Sequence, residues 1–240
     1  MRARRGRVDC ARMIPVRSGV RTRSFPWTTL GLCVACAAAF LLEPRMPLDR
    51  LWLVPSAFVH ALTAAPARID LWLVPLLASM FLHAGWAHLL GNLLFLWVFG
   101  RVVEASLGAR RFAAFYVLTG IAAAMTHVAM ASTDTVPIVG ASGAIAGVLG
   151  GALALHPRAP VTVIVPIIIV PFLRKVPAFV FLFFWFLEQI VAGTIDRLLT
   201  HAPGGVAWWA HVGGFVVGML LIGLFPRKDR VEYGYERRQF

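Results

Sequence analysis

Charge is what this sequence has least of. Of its 240 residues only 14% are Asp, Glu, Lys or Arg, against 59% hydrophobic, and mean hydropathy is +0.77. Ordinary soluble domains carry about 25% charged residues, so a chain this poor in charge has too little polar surface to cover a globule of its size. That excludes a soluble domain and points to an integral membrane protein. Cysteine is nearly absent, with three in the chain. Cys33 and Cys36 form a C-x-x-C inside an apolar segment with no histidine or second pair nearby. A redox or metal site is therefore disfavoured, and both read as small buried hydrophobes. Repeats are lacking too. "LWLVP" occurs at 51–55 and again at 71–75, without matching context, and makes no solenoid.

What charge there is has one sign and a pattern. There are 23 Lys plus Arg against 11 Asp plus Glu, a net +12. Arg2, Arg4, Arg5, Arg7, Arg12, Arg17, Arg21 and Arg23 crowd the start; Arg227, Lys228, Arg230, Arg237 and Arg238 crowd the end. A basic chain invites a nucleic-acid reading, but these charges flank apolar spans. Anchoring on the positive-inside rule explains them better, and no nucleic-acid partner is expected.

A spanning helix needs about 17–25 mostly apolar residues. Six stretches qualify: 26–42, 86–103, 112–132, 138–156, 177–193 and 206–225. Residues 161–173 are apolar but hold Pro166 and Pro171, which disfavour a straight helix, so a partly buried loop is expected there. Residues 43–85 form a long, apolar, proline-containing connection, of the kind that is functional or lies on the membrane surface. Arg101, Arg110 and Arg111 follow span two, and Arg158, Arg174 and Lys175 follow span four, whereas loops 43–85, 133–137 and 194–205 carry few cations. All basic segments then share one side, which requires an even number of spans with both ends inside. The Arg-rich start also suits a targeting segment; with no small-residue cleavage site after Leu42, an anchored first helix is expected. The expected organisation is all-α: a basic cytoplasmic tail at 1–25, a six-helix membrane domain at 26–226 and a basic cytoplasmic tail at 227–240.

Polar residues inside the spans fall at one depth. Ser142, in "GASGAIAG" at 140–147, is near the outer end of span four. His211, in "WWAHVGGFVVG", is near the outer end of span six. His88 and Asn92 lie in the outer half of span two, four residues apart and so on one helix face. Gly143, Gly147 and Gly151 repeat every fourth residue in span four, as Gly214 and Gly218 do in span six. Small residues at that spacing let helix backbones approach closely, which would bring His211 opposite Ser142. A hydroxyl is a weak nucleophile until an adjacent base takes its proton. His211 supplies that base, Asn92 and His88 supply oxyanion donors, and the Ser142 N–H at a helix start supplies another. Any one of these residues alone reads as helix packing; together they read as a hydrolytic site. "GASG" is not the G-x-S-x-G elbow, because Ala144 stands where the last glycine would be.

These residues resemble the rhomboid family of intramembrane serine proteases. The resemblance rests on "FLHAGWAHLLGN" at 81–92, on "FG" with Glu104 and Gly108 at 99–108, on "GASG" at 140–143 and on "AHVGGFVVG" at 210–218. It implies a six-helix rhomboid-like bundle and a Ser142–His211 dyad without a third acid. Oxyanion donors would be His88 and Asn92, with His83, Gly140, Gly143, Gly214 and Gly218 in support. Neither metal nor cofactor is implied. The 43–85 loop would be the membrane-embedded first loop, 194–205 a cap, and Glu104 structural, capping or pairing with an Arg. Two features depart from the family. Ala146 stands where members often place an aromatic ring one turn after the serine, so support for His211 must come from elsewhere, with Trp208, Trp209 and Phe215 as candidates. The first loop also lacks a Trp-Arg pair found in some members.

Glu188 in span five is an intramembrane acid and thus a functional candidate by default. It reads as paired with Arg197 or facing a water pocket ahead of being a third triad member, and Gln189 beside it has the same options. His127 and His156 match no motif and read as structural or interfacial. The expected function is cleavage of single-span membrane proteins in a bacterial plasma membrane. Access between spans two and five is implied by the resemblance, with Phe179, Phe181, Phe183, Phe184, Trp185 and Phe186 as the gate. The alternatives are an inactive rhomboid-like factor that binds membrane proteins and a transporter or haem protein using His83, His88, His127 and His211. The first would lose Ser or His, and the second would show inverted repeats.

Overall fold

The computed structural model describes residues 13–167, 170–200, 206–225 and 231–233. Most of the expected terminal tails (1–12, 227–230 and 234–240), Pro226 and residues 201–205 of the expected cap lie outside them. The chain opens with strands β1 (Ile14–Ser18) and β2 (Val20–Thr22). Helix α1 (Trp27–Leu42) follows, then three short helices in the first loop: α2 (Leu48–Leu51), α3 (Pro55–Ala64) and α4 (Leu73–Ala78). Helices α5 (Trp86–Phe95) and α6 (Arg101–Leu107) form one span, Trp86–Leu107, with a π turn over Leu96–Gly100. Then come α7 (Ala109–Met130), α8 (Ser142–Leu155), strands β3 (Pro160–Ile167) and β4 (Val170–Pro177), α9 (Ala178–Ile195), α10 (Trp208–Leu221) and β5 (Val231–Tyr233).

The structure is mostly helical, and four helices among the described residues are long and apolar enough to cross a membrane: Trp27–Arg45, Trp86–Leu107, Ala109–Met130 and Ala178–Leu198. The helices in the fourth and sixth expected spans are shorter. Both α8 and α10 have 14 residues, or about 21 Å at a rise of about 1.5 Å per residue, against a hydrocarbon core of about 30 Å. Helix α8 begins at Ser142 itself, and α10 begins at Trp208 and runs on through a 3-10 turn to Leu224.

The expectation of a loop at 161–173 is corrected: β3 and β4 are paired antiparallel strands, with Thr162 opposite Lys175 and Pro166 opposite Pro171. The run "VTVIV" is rich in β-branched residues, which favour strands, and a short continuous apolar run does not distinguish strand from helix. Residues 14–18, expected within a basic tail, add β1 as a third strand, so the sheet order is β1-β3-β4. Val161 and Val163 turn one face of that sheet into the core, beside Phe99 and Phe181. A second ribbon pairs β2 with β5, which joins the two ends of the chain.

The core centres on α8. Val148 and Leu149 are fully buried there among Phe112, Phe115 and Tyr116 of α7 and Phe215 of α10. The glycines allow the tightest approaches. A Cβ on Gly214 would strike the Gly143 carbonyl oxygen, and one on Gly218 would strike that of Gly147. Side chains are thus excluded from the α8–α10 seam, and the backbones meet directly. Helix α1 is fastened differently. Glu104, buried on α6, accepts from the Thr28 N–H at 2.9 Å and from the Thr29 N–H and hydroxyl, each at 2.7 Å. These donors belong to the first turn of α1, whose N–H groups have no intrahelical acceptor, so Glu104 caps that helix from another element. The first loop packs on α7 through Leu53, Phe58, Leu76, Ala124 and Val128. It is also tied to the 133–138 connection by Ser56 N–H to Asp134 carbonyl (3.0 Å) and Ile138 N–H to Leu53 carbonyl (2.8 Å).

Candidate active site

Close packing of α8 on α10 determines what meets at their N-terminal ends. Ser142 is the first residue of α8, and His211 lies one turn into α10, three residues before Gly214. Ser142 Oγ and His211 Nε2 are 2.8 Å apart. The imidazole is 7% exposed and the serine half-buried. Because Ser142 starts its helix, the N–H groups of Ser142 and Gly143 have no acceptor within that helix and point back toward the space before it.

That space is a cavity of about 1010 Å³ whose lining includes His88, Asn92, Ser142, Trp185, Gln189 and His211. The α5 side supplies His88 and Asn92. Gly140 brings them near Ser142, and there its lack of a side chain counts twice. Its φ of +125° is a conformation that L side chains rarely adopt. A Cβ there would also lie 2.7 Å from the His88 ring and 3.6 Å from Asn92 Nδ2. The Gly140 N–H donates to the Ser79 carbonyl at 2.9 Å, which holds the turn. Asn92 is 8% exposed, and its Nδ2 donor is buried without a partner among the described residues. A buried amide without a partner costs about 1–3 kcal/mol, the loss a guest oxygen would relieve.

His83 stands behind His88, their ring centroids 5.2 Å apart, edge to face. Its Nδ1 lies 3.0 Å from the Phe81 carbonyl, which only accepts, so Nδ1 carries the proton. Its backbone N–H donates to Glu43 Oε1 at 2.7 Å. The structure thus brings Ser142, His211, His88, Asn92 and His83 to one cavity, with Gly140 against His88 and with Gly143, Gly214 and Gly218 in the seam behind it.

Two side chains of α9 take places that the sequence reading did not fix. Trp185, expected in a lipid-side gate, sets its ring 6.1 Å from the His211 ring, where Trp208, one of the candidates for supporting His211, sits edge-on at 6.2 Å. The second is Gln189. Its Oε1 lies 2.7 Å from His211 Nδ1, while Glu188 is exposed on another face of α9. Arg197, the expected partner of Glu188, donates to the Met130 carbonyl at 3.2 Å. A glutamine next to a glutamate in an apolar helix fits no motif; the available signal was its offset of four residues from Trp185, which puts both on one face. His156 lies apart from the site, its Nε2 3.1 Å from Ser106 Oγ. Of the expected gate residues, Phe179, Phe183 and Phe184 are exposed, whereas Phe181 is buried and stacks on Phe99 at 6.0 Å, bridging α9 to the π turn after α5.

Chemically, a hydroxyl bonded to an imidazole beside unpartnered donors is an acyl-transfer arrangement. Comparison with known proteins points the same way. The family model of the rhomboid domain matches residues 70–228. The chain is 29% identical over 178 residues to the rhomboid protease AarA of Providencia stuartii, covering 68% of this chain and 59% of that one. It is 41% identical over 78 residues to the rhomboid protease GluP of Bacillus subtilis, covering 32% of this chain and 15% of that one. It is 30% identical over 151 residues to Rhomboid protein 1, mitochondrial, of Saccharomyces cerevisiae, covering 61% of this chain and 40% of that one. The matches thus span less than two thirds of each relative's length.

Proposed function

This chain belongs to the rhomboid family, and we propose that it is an intramembrane serine endopeptidase that hydrolyses peptide bonds in transmembrane segments through Ser142 and His211. The observation that carries this reading is the 2.8 Å contact between Ser142 Oγ and His211 Nε2, inside a cavity that also holds the unpartnered Asn92 amide.

In this mechanism Nε2 of His211 takes the Ser142 proton as Oγ attacks the scissile carbonyl carbon. Negative charge grows on the carbonyl oxygen, which accepts from Asn92 Nδ2, from His88 and from the backbone N–H at the start of α8. His211 then gives its proton to the departing amine, leaving an acyl ester on Ser142. Water, deprotonated by the same nitrogen, cleaves that ester and restores the hydroxyl.

We read the membrane domain as six spans with both termini cytoplasmic, α8 and α10 supplying the two short ones. The brevity of α8 sets Ser142 below the outer surface, where water reaches it through the cavity. Substrates are single-span proteins whose helices unwind readily, since a stable helix hides its carbonyls. They enter between α5 and α9 on the outer side. The membrane is the plasma membrane of a bacterium. The domain limits are 1–25, 26–226 and 227–240.

The test is cleavage of a reporter transmembrane segment by the full chain in liposomes. Ser142→Ala and His211→Ala should each abolish cleavage while leaving expression and thermal stability near wild type. Undiminished cleavage by Ser142→Ala refutes the assigned nucleophile. A folded wild type that binds but cuts no reporter favours an inactive membrane-protein-binding factor.

A further inference from the structure

Only one of the two nitrogens of His211 faces Ser142; the other, Nδ1, lies 2.7 Å from Oε1 of Gln189, a side chain only 4% exposed. The other end of that amide is anchored as well. Gln189 Nε2 lies 3.1 Å from the carbonyl oxygen of Trp185, one turn back in α9. A backbone carbonyl can only accept, so the amide nitrogen must face Trp185 and the amide oxygen must face the imidazole. An amide oxygen also only accepts, so Nδ1 must carry the ring proton. Nε2 is then left with its lone pair, 2.8 Å from the Ser142 hydroxyl. A main-chain carbonyl of α9, acting through one glutamine, thereby selects the histidine tautomer able to take a proton from serine.

We propose that Gln189 is a positioning residue for the hydrolysis, holding His211 in the tautomer with Nδ1 protonated and its ring plane aimed at Ser142. This rests on the reading of Ser142 and His211 as the reacting pair. The local surroundings explain the need for it. Ala146 is buried one turn after Ser142 and brings no ring to His211. Helix α9 supplies both replacements, the Trp185 ring against the imidazole and the Gln189 oxygen on Nδ1. A neutral amide orients the ring without the cost of burying a carboxylate. Among the described residues, the titratable groups that act on the imidazole are His88 from α5 and His127 from α7.

The test uses the full chain in detergent micelles or nanodiscs, with ¹⁵N-labelled histidine for tautomer spectra and a reporter segment for kinetics. Gln189→Leu removes the acceptor; Gln189→Glu keeps it and adds charge. Wild type should show His211 protonated at Nδ1 and bare at Nε2, and Gln189→Leu should lose that preference. In Gln189→Leu, kcat should fall about 10–100-fold with KM changed by less than about threefold, the effect of a lost buried hydrogen bond. Gln189→Glu should keep the tautomer and recover kcat at high pH. Its acid limb should move to higher pH, because a carboxylate beside the ring favours imidazolium. A Gln189→Leu protein with wild-type tautomer and kcat overturns the proposal. Should that variant not fold, a wild-type spectrum with Nε2 protonated, or an unmoved acid limb in Gln189→Glu, overturns it instead. Failure of the protease reading looks different: Ser142→Ala would cut like wild type, while the spectra still judged Gln189.

Discussion

Helices α8 and α10 are as apolar as α1 and α9 but shorter, and they lie deeper in the bundle. The two outer helices begin long apolar segments, Trp27–Arg45 and Ala178–Leu198, only 11% and 28% buried in their most apolar windows. The two inner helices have 14 residues each, and α8 is buried from Ala144 to Ala152. Length and exposed apolar side chains mark the helices at the edge of the bundle. Brevity and glycine mark the two that pack backbone to backbone, and both members of the Ser–His pair lie near the start of such a helix. The outer helices are attached by side chains, α1 by the Glu104 carboxylate and α9 by packing around Phe181. The inner pair is attached by backbone contact, which leaves little tolerance for added atoms.

That difference can be broken most sharply in the seam. Gly218→Val should cost at least about 1–3 kcal/mol, as overpacking does, and abolish reporter cleavage. Phe184→Ala on the exposed face of α9 should stay within about 0.5 kcal/mol and keep activity. Thermal melts of the two variants, run side by side, check both; equal melts would show that the seam is no tighter than the lipid face.

Within the site, effects should separate from stability. Asn92→Ala should lower kcat by about 10²–10³-fold with little change in melting, because its Nδ2 has no partner to lose among the described residues. An unchanged kcat would remove Asn92 from the oxyanion role. Gly140→Ala combines positive-φ strain with a clash against His88. At about 1–3 kcal/mol of strain it should slow cleavage about 10–100-fold, with a smaller loss of thermal stability. The weakest perturbation is at the periphery. Glu104→Gln should loosen α1 by about 1–3 kcal/mol, seen as faster protease nicking between α1 and α2, while kcat changes by less than about threefold.

Much of the site was legible because its residues repeat at helical spacing. His88 and Asn92 share a face at a separation of four, and Gly214 and Gly218 sit three and seven residues past His211, so a close α8–α10 approach implied where the imidazole would point. Less legible were features defined by partners distant in sequence. Gln189 gains its meaning only from a histidine 22 residues later and a carbonyl four residues earlier. The β3–β4 hairpin was hidden because an apolar run with two prolines argues against a straight helix without arguing for a strand. Strand β1 was hidden because its partner is nearly 150 residues away. The start of α8 at Ser142 could not be read from hydropathy, which continues through the apolar residues 138–141 before it.

The central claim is that Ser142 is a nucleophile activated by His211, and direct labelling tests it. The purified full chain, treated with a fluorophosphonate and mapped by mass spectrometry, should carry one adduct, on the Ser142 hydroxyl, and the adduct should vanish in His211→Ala. An adduct formed as readily in His211→Ala as in wild type, or no adduct on Ser142 in a folded wild type, would contradict the account.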